Sequence, residues 1–305
     1  MSEAAVVAIG IDPPEKRRRW IEALDPLLDD CRVVNMDGPD AAEAEIVVVG
    51  NPPGSSLTGF PRLRFVQSTW AGVDALVEGL PPVPLARLVA PALADLMSEF
   101  VVAAVLMLHR GFPEYRRRQA RAEWRPSPVE PARRRRVGVL GFGELGAPAA
   151  RRLVEAGFDV MAWARSDRQG GVPVVSGEEG WRRLLGRSEI VVNLLPLTDA
   201  TRGIFDTGAF DLLEPGAALI NVARGAHVVE DDLLAALEDG RLSDAVLDVF
   251  PTEPLPERHP YWHHPRVTVL PHVAAPSDPD DLVAEVAANL RRFLAGETPR
   301  HLVER

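Results

Sequence analysis

Three residues in the last third of the chain have the types and placement of a carbonyl-reducing site. They are Arg224 after Asn221-Val222-Ala223, Glu253 after Asp248-Val249-Phe250, and His272 after Leu270-Pro271. Each follows an apolar run of strand length, so all three belong at strand ends. A carbonyl that accepts hydride becomes an alkoxide unless an acid protonates it, and histidine is the side chain best matched to that task near neutral pH. A carboxylate beside the imidazole would stabilise its cationic form and keep the acid charged. The anionic end of a substrate needs a fixed cation, and the forked guanidinium of an arginine suits it. Taken singly, each has a plainer reading: a surface salt bridge, a loop charge, a capping histidine. Three on consecutive strand ends of one domain favour chemistry.

Hydride transfer requires a cofactor, and the stretch Val137–Gly157, VGVLGFGELGAPAARRLVEAG, supplies its binding element. Val137, Val139 and Leu140 read as a buried parallel strand. The turn Gly141-Phe142-Gly143-Glu144-Leu145-Gly146 follows, then a helix with Leu145, Ala149 and Leu153 on one face and Gly157 as its stop. The first glycine makes the tight turn, the second admits a pyrophosphate to the backbone, and the third lets helix and strand pack closely. The helix N-terminus then faces the phosphates. A second strand, Val160–Trp163, leads into Ala164-Arg165-Ser166, with Asp167 and Arg168 beyond. About 20 positions past the glycines, an acidic residue would hold the ribose 2′-hydroxyl of NAD. Arg165 suits a 2′-phosphate instead, and Asp167, a little late, is the competing signal. NADPH is the expected cofactor, with NAD possible. Further strands are expected at Ile190–Leu194, Ala218–Val222, Ala245–Val249 and Val267–Leu270, and a helix at Glu230–Glu238.

The first hundred residues read as a separate small α/β domain. Strands are expected at Ala5–Ile9, Ile46–Val49 and Arg64–Gln67, with a helix opened by Asp12-Pro13-Pro14 and carrying Trp20, Ile21, Leu24, Leu27 and Leu28. Alternating strands and helices imply a parallel sheet, whose ligands sit beyond the strand carboxyl ends. Asn51-Pro52-Pro53 and Ser68-Thr69-Trp70-Ala71-Gly72-Val73-Asp74 lie there. One helix over about Asp95 to Arg118 is expected next, then an exposed connector, Arg125–Pro131. Arg133–Arg136 reads as a solvated lead-in to the strand helped by nearby acidic groups.

Composition narrows the class. The 305 residues are enough for two cores, and a formal net charge of -10 disfavours a nucleic-acid binder. The single cysteine, Cys31, fits a reducing compartment. MSEAAVVAIG lacks the features of a signal peptide, and the apolar run Phe100–Leu108 is too short to span a bilayer. A cytoplasmic globular protein without membrane or nucleic-acid partners is expected, and no metal site.

Several segments together resemble the D-isomer-specific 2-hydroxyacid dehydrogenases. They are NVARG (221–225), EDDLLAAL (230–237), AVLDVF (245–250) with EPLP (253–256), and VLPHVA (269–274). His227 within RGAHVVEDD, the stretch PERHPYWHHPRV and PHVAA resemble the glyoxylate/hydroxypyruvate reductase A group within that family. The resemblance covers nearly the whole chain. It implies an α/β fold of two Rossmann-like doubly wound domains, the nucleotide-binding domain (96–275) inserted into a split flavodoxin-like substrate domain (1–95 and 276–305). The substrate domain would be completed by a C-terminal helix at about Asp278–Leu294, capped by Ser277 or Asp278. The resemblance implies Arg224, Glu253 and His272 as the catalytic set. Trp70, Ala71, Gly72 and Arg224 would bind substrate, Ala71 and Gly72 through backbone N–H groups. The implied cofactor contacts run from Gly141, Phe142, Gly143, Glu144, Leu145 and Gly146 to Arg165, Ser166 and Arg168. They continue through Leu195 and Pro196, then Val222, Ala223 and Arg224, to Asp248 near the carboxamide and His272. The substrate would be a small 2-keto acid and the assembly a homodimer. Two alternatives stand beside this reading: an NAD-dependent dehydrogenase of a larger hydroxyacid, and a nucleotide-sensing regulator of the corepressor type. Trp70, where a small residue is more usual, either narrows the substrate site or packs as core.

Overall fold

A computed structural model describes residues 4–304. Residues 1–3, part of the stretch read above for a leader, and residue 305 lie outside the described residues. The chain divides into two compact units, Met1–Leu93 with Ser277–Arg305, and Ala94–Pro276.

The first unit is built on strands β1 (Ala5–Gly10), β2 (Cys31–Asn35), β3 (Ile46–Val49), β4 (Phe65–Ser68) and β5 (Leu85–Ala86). They form one parallel sheet in the order β2-β1-β3-β4-β5, a doubly wound arrangement with its switch point between β1 and β3. Every residue of β3 and β4 is buried, which is why they read as unbroken apolar runs. Between β1 and β2 lies α1 (Pro14–Leu24), and a single turn, α2 (Asp74–Val77), follows β4. Helix α1 stops short of Leu27 and Leu28. Asp25–Leu27 instead form one 3-10 turn, because Pro26 has no N–H to continue the ladder.

The helix expected over Asp95–Arg118 is two helices. α3 (Pro91–His109) and α4 (Phe112–Ala120) are separated at Arg110-Gly111, where Gly111 adopts φ of +67° and Pro113 starts the next helix. α3 has 19 residues at mean hydropathy 1.8, long and apolar enough to cross a bilayer by length and composition, so it outruns the segment Phe100–Leu108. Met97, Val101, Ala104 and Val105 on it are buried in the core of the second unit.

That second unit contains β6 (Arg136–Leu140), α5 (Gly146–Glu155), β7 (Asp159–Ala164), β8 (Val174–Ser176), α6 (Gly177–Leu185) and β9 (Ile190–Asn193). It continues through α7 (Thr207–Leu212), β10 (Ala217–Asn221), α8 (Glu230–Glu238), β11 (Leu242–Leu247) and β12 (Val267–Val269). The seven strands are parallel in the order β12-β11-β10-β9-β6-β7-β8, so the strand order reverses between β6 and β9. Ligands of such a sheet bind beyond the carboxyl ends at that reversal. The arginines leading into β6 meet carboxylates: Arg135 reaches Glu189 at 2.8 Å and Arg136 reaches Glu214 at 2.6 Å.

The chain then returns to the first unit as α9 (Pro279–Leu294). Asp278 caps it, accepting from the Asp280 N–H at 3.0 Å, while Ser277 donates to the Thr69 carbonyl at 2.8 Å instead. Phe293 stacks on Phe65 at 4.7 Å between ring centroids, and the Asn289 amide donates to Gln67 Oε1 at 2.6 Å. Phe65, completely buried, contributes about 1.5–3 kcal/mol by that burial.

Candidate active site

The glycine turn joins β6 to α5 at the switch point. Gly141 has φ of +96°, and a Cβ there would stand 2.6 Å from the Leu194 carbonyl oxygen; one at Gly146 would stand 1.8 Å from that of Gly141. Backbone therefore excludes any side chain at both. At Gly143 a Cβ would meet nothing within 4 Å, so the middle of the turn opens onto a cradle that a side chain would fill. Glu144 and Gly143 are exposed, Phe142 is buried, and Leu145 is half-buried. No side chain caps α5 and its first turn has no acidic residue, so its N–H groups and dipole are directed at whatever anion occupies the cradle. These residues fit a dinucleotide pyrophosphate.

Beyond β7, Arg165, Ser166, Asp167 and Arg168 are all exposed. The Asp167 carboxylate accepts from the Ser176 hydroxyl at the end of β8, and Arg168 donates to the Phe142 carbonyl at 3.2 Å. The acidic signal thus bonds back to its own sheet edge, while Arg165 stands at the end of β7, where a ribose substituent would come. The set fits a 2′-phosphate.

The later strand ends carry the reactive groups. Gly225 is required by close approach: a Cβ there would stand 2.0 Å from the Phe250 carbonyl carbon. That contact presses the loop bearing Arg224 against the loop bearing Glu253. Arg224 is half-buried, and its Nη1 donates to the Ala223 carbonyl at 2.7 Å. Glu253 accepts the Phe250 N–H at 2.8 Å through Oε1 and meets His272 Nδ1 at 2.7 Å through Oε2. Nδ1 is therefore the donor, and Nε2 is left to exchange the second proton. Burial opposes the charge on Glu253. The bonds from His272 and Phe250, with the Arg224 charge nearby, outweigh it and hold the carboxyl below its ordinary value.

His272 adopts φ of +53°, a left-handed conformation that costs a non-glycine residue energy. Asp248, completely buried, holds it there. Its backbone carbonyl accepts the His272 N–H at 2.9 Å, and its two carboxylate oxygens accept the N–H groups of Val273 and Ala274 at 2.8 and 2.9 Å. Burial still raises the Asp248 carboxyl above its ordinary value. Asp248 thus braces the loop of the candidate acid, a role its position in the sequence did not suggest. Leu195, Val222 and Ala223 are buried at the ends of β9 and β10, and Pro196 is exposed. Beneath them lie three buried polar side chains absent from the sequence-based set, Asn193, Asn221 and His227. The available signal was an asparagine ending each of two apolar strands. Among the described residues no group of three His, Cys, Asp or Glu could hold a metal ion.

In the first unit, the Trp70 N–H donates to Ser68 Oγ at 3.0 Å and its carbonyl accepts from Leu88 at 2.9 Å. The side chain is half-buried, its Nε1 lying 3.1 Å from where a Cβ of Gly50 would be. Ala71 and Gly72 are half-buried too.

An anion cradle at the switch point, with a histidine–carboxylate pair and an arginine on the same carboxyl edge of one sheet, defines a nicotinamide-dependent oxidoreductase of the Rossmann class. Residues 102–274 match the NAD binding domain of the D-isomer specific 2-hydroxyacid dehydrogenases, and the chain belongs to that family. A glyoxylate/hydroxypyruvate reductase A from Serratia proteamaculans (strain 568) is 42% identical over 294 residues, covering 93% of this chain and 94% of the relative. Among solved structures, a D-isomer specific 2-hydroxyacid dehydrogenase from Xanthobacter autotrophicus Py2 in complex with NADPH and MES superimposes with a TM-score of 0.91. It is 37% identical, over 99% of this chain and 98% of that one. An NADPH-dependent glyoxylate/hydroxypyruvate reductase from Sinorhizobium meliloti, in complex with NADP and sulfate, gives a TM-score of 0.90 at 35% identity, covering 98% of each chain.

Proposed function

We propose that this protein is an NADPH-preferring reductase of small 2-keto acids, of the glyoxylate and hydroxypyruvate kind, that yields D-2-hydroxy acids. The observation that carries the reading is the His272–Glu253 pair at 2.7 Å, set on the sheet edge that also bears the glycine cradle and Arg165. When bound, NADPH supplies the hydride. Arg224 holds the substrate carboxylate and polarises the carbonyl; His272 protonates the oxygen that becomes the hydroxyl. Glu253 fixes the imidazole by accepting from Nδ1 and offsets its positive charge. Residues 96–275 serve as the nucleotide-binding domain, and 1–95 with 276–305 as the substrate domain. In the latter the N–H groups of Ala71 and Gly72 grip the substrate carboxylate. The working assembly is a homodimer.

The stereochemistry of the product tests this reading. Hydroxypyruvate reduced by the enzyme with NADPH should give D-glycerate alone, and an L product or a racemate would contradict it.

Trp70 makes a second expectation. If the indole bounds the substrate site, Trp70→Ala should admit larger 2-keto acids, each accommodated methylene being worth roughly 1–3 kcal/mol in specificity. Specificity constants for glyoxylate and for a branched or aromatic 2-keto acid, measured with the melting temperature of the same variant, decide it. A destabilised variant with unchanged selectivity would make Trp70 a packing residue only.

A further inference from the structure

Backbone groups fix which atoms donate and which accept in the hydrogen bonds of the polar core beneath the site. The starting points are backbone N–H groups, which can only donate. The Leu195 N–H donates to Asn193 Oδ1 at 3.2 Å, so the other end of that amide is the NH2. The Ala223 N–H donates to Asn221 Oδ1 at 3.2 Å, which fixes the second amide likewise. Asn193 Nδ2 then donates to Asn221 Oδ1 at 3.0 Å and also to His227 Nδ1 at 3.0 Å. An imidazole nitrogen that accepts carries no proton, so the His227 proton resides on Nε2. That nitrogen lies 3.3 Å from the Pro196 carbonyl, which can only accept. Asn221 Nδ2 completes the chain by donating to the Arg224 carbonyl at 2.9 Å.

All three side chains are buried, His227 completely. They link two loops on the carboxyl edge of the sheet: Leu195-Pro196 after β9, and Ala223-Arg224 after β10. His227 itself sits in the 3-10 turn Gly225–His227 that Arg224 opens, and its carbonyl accepts the Phe205 N–H at 2.9 Å. Buried networks of this kind are costly when half-satisfied and rigid when complete. Here the rigidity is delivered to the backbone on either side of Arg224.

We propose that His227 is a positioning residue for the keto-acid reaction, a neutral imidazole that clamps the loop after β9 to the loop after β10 and so sets the backbone from which Arg224 projects. This rests on the function proposed above for Arg224. Asparagine and glutamine divide these two bonds, to Asn193 and to the Pro196 carbonyl, between them. His227→Asn places an oxygen near the position of Nδ1 and keeps the bond from Asn193; His227→Gln reaches toward the Pro196 carbonyl and gives up the first. His227→Leu removes both and leaves buried partners unsatisfied.

The test combines steady-state kinetics with a spectrum. In His227→Leu, kcat/KM for glyoxylate should fall roughly ten- to a hundredfold, the size expected when a reacting group is displaced by about an ångström. NADPH dissociation constants should stay within a few-fold, and His227→Asn should recover a substantial part of the loss. Wild-type kcat and KM in His227→Leu, whatever its melting temperature, would overturn the proposal. So would a His227→Asn variant no better than His227→Leu. If His227→Leu does not fold, nitrogen-15 spectra of histidine-labelled wild-type enzyme still decide. His227 must be the Nε2–H tautomer at neutral pH, and an Nδ1–H tautomer or an imidazolium there refutes it. Those spectra need no turnover, whereas a wild-type enzyme inactive on every 2-keto acid would count against the proposed function alone.

Discussion

His272→Ala is expected to lower kcat for keto-acid reduction by about a hundred- to ten-thousandfold, the range for loss of a positioned general acid. NADPH affinity should scarcely change, because the glycine cradle and Arg165 are untouched. Equilibrium binding by protein fluorescence and turnover under saturating NADPH separate the two quantities. A fall in kcat of less than tenfold would remove His272 from the proton transfer. Glu253→Gln gives the companion result. The amide keeps an acceptor for Nδ1 but not the negative charge that faces the imidazole at 2.7 Å, so kcat should fall, by less than in His272→Ala, while NADPH affinity holds. A kcat unmoved by Glu253→Gln would detach that carboxylate from the mechanism.

Glu253 also bears on stability with a definite sign. Its carboxyl is held below the ordinary value in the folded protein, so its ionised form stabilises the fold above the unfolded titration range. That contribution is lost as pH falls through the lowered value. Melting temperatures of wild type and Glu253→Gln should therefore differ more near neutrality than in acid. A gap that stays constant or widens on acidification would contradict it.

Arg165→Ala should lower the preference for NADPH over NADH by roughly ten- to a hundredfold. A charge-assisted phosphate bond is worth about 1.5–3 kcal/mol, and NADH lacks the group that makes it. Asp167, the acidic alternative, accepts from the Ser176 hydroxyl, so the prediction places the discrimination on Arg165. The ratio of kcat/KM for the two cofactors in wild type and variant is the readout. Equal use of both by the wild type, or an unchanged ratio in Arg165→Ala, would return the decision to Asp167.

Much of the fold was legible because parallel strands buried on both faces must be apolar throughout. Ile46–Val49 is such a strand, and β6, β9 and β10 depart from their expected bounds by one residue. Two edge strands, β2 and β8, were not legible, although the edge strand β12 was, within one residue. β2 is Cys31-Arg32-Val33-Val34-Asn35 and β8 is the three-residue Val174–Ser176; neither is fully buried, so neither carries a clear pattern. β11 begins at Leu242, earlier than its apolar run, because Asp244 is accommodated by a bond to Arg117 at 2.6 Å. The break at Gly111 was readable from Gly111-Phe112-Pro113, but the apolar run before it and the arginines after it both suit helix and mask it. In the site, Arg224, Glu253 and His272 stood out by chemical type at strand ends. His227, Asn193 and Asn221 did not, because their importance lies in one another, and only the fold brings residues 193, 221 and 227 into one hydrogen-bonded chain.

The most direct test of the account is the initial rate of NADPH consumption by the wild-type enzyme with glyoxylate and hydroxypyruvate, run beside NADH and beside bulky or aromatic 2-keto acids. The account predicts the highest kcat/KM for the two small acids with NADPH. Turnover confined to NADH or to large substrates, or no turnover with any 2-keto acid, would contradict it.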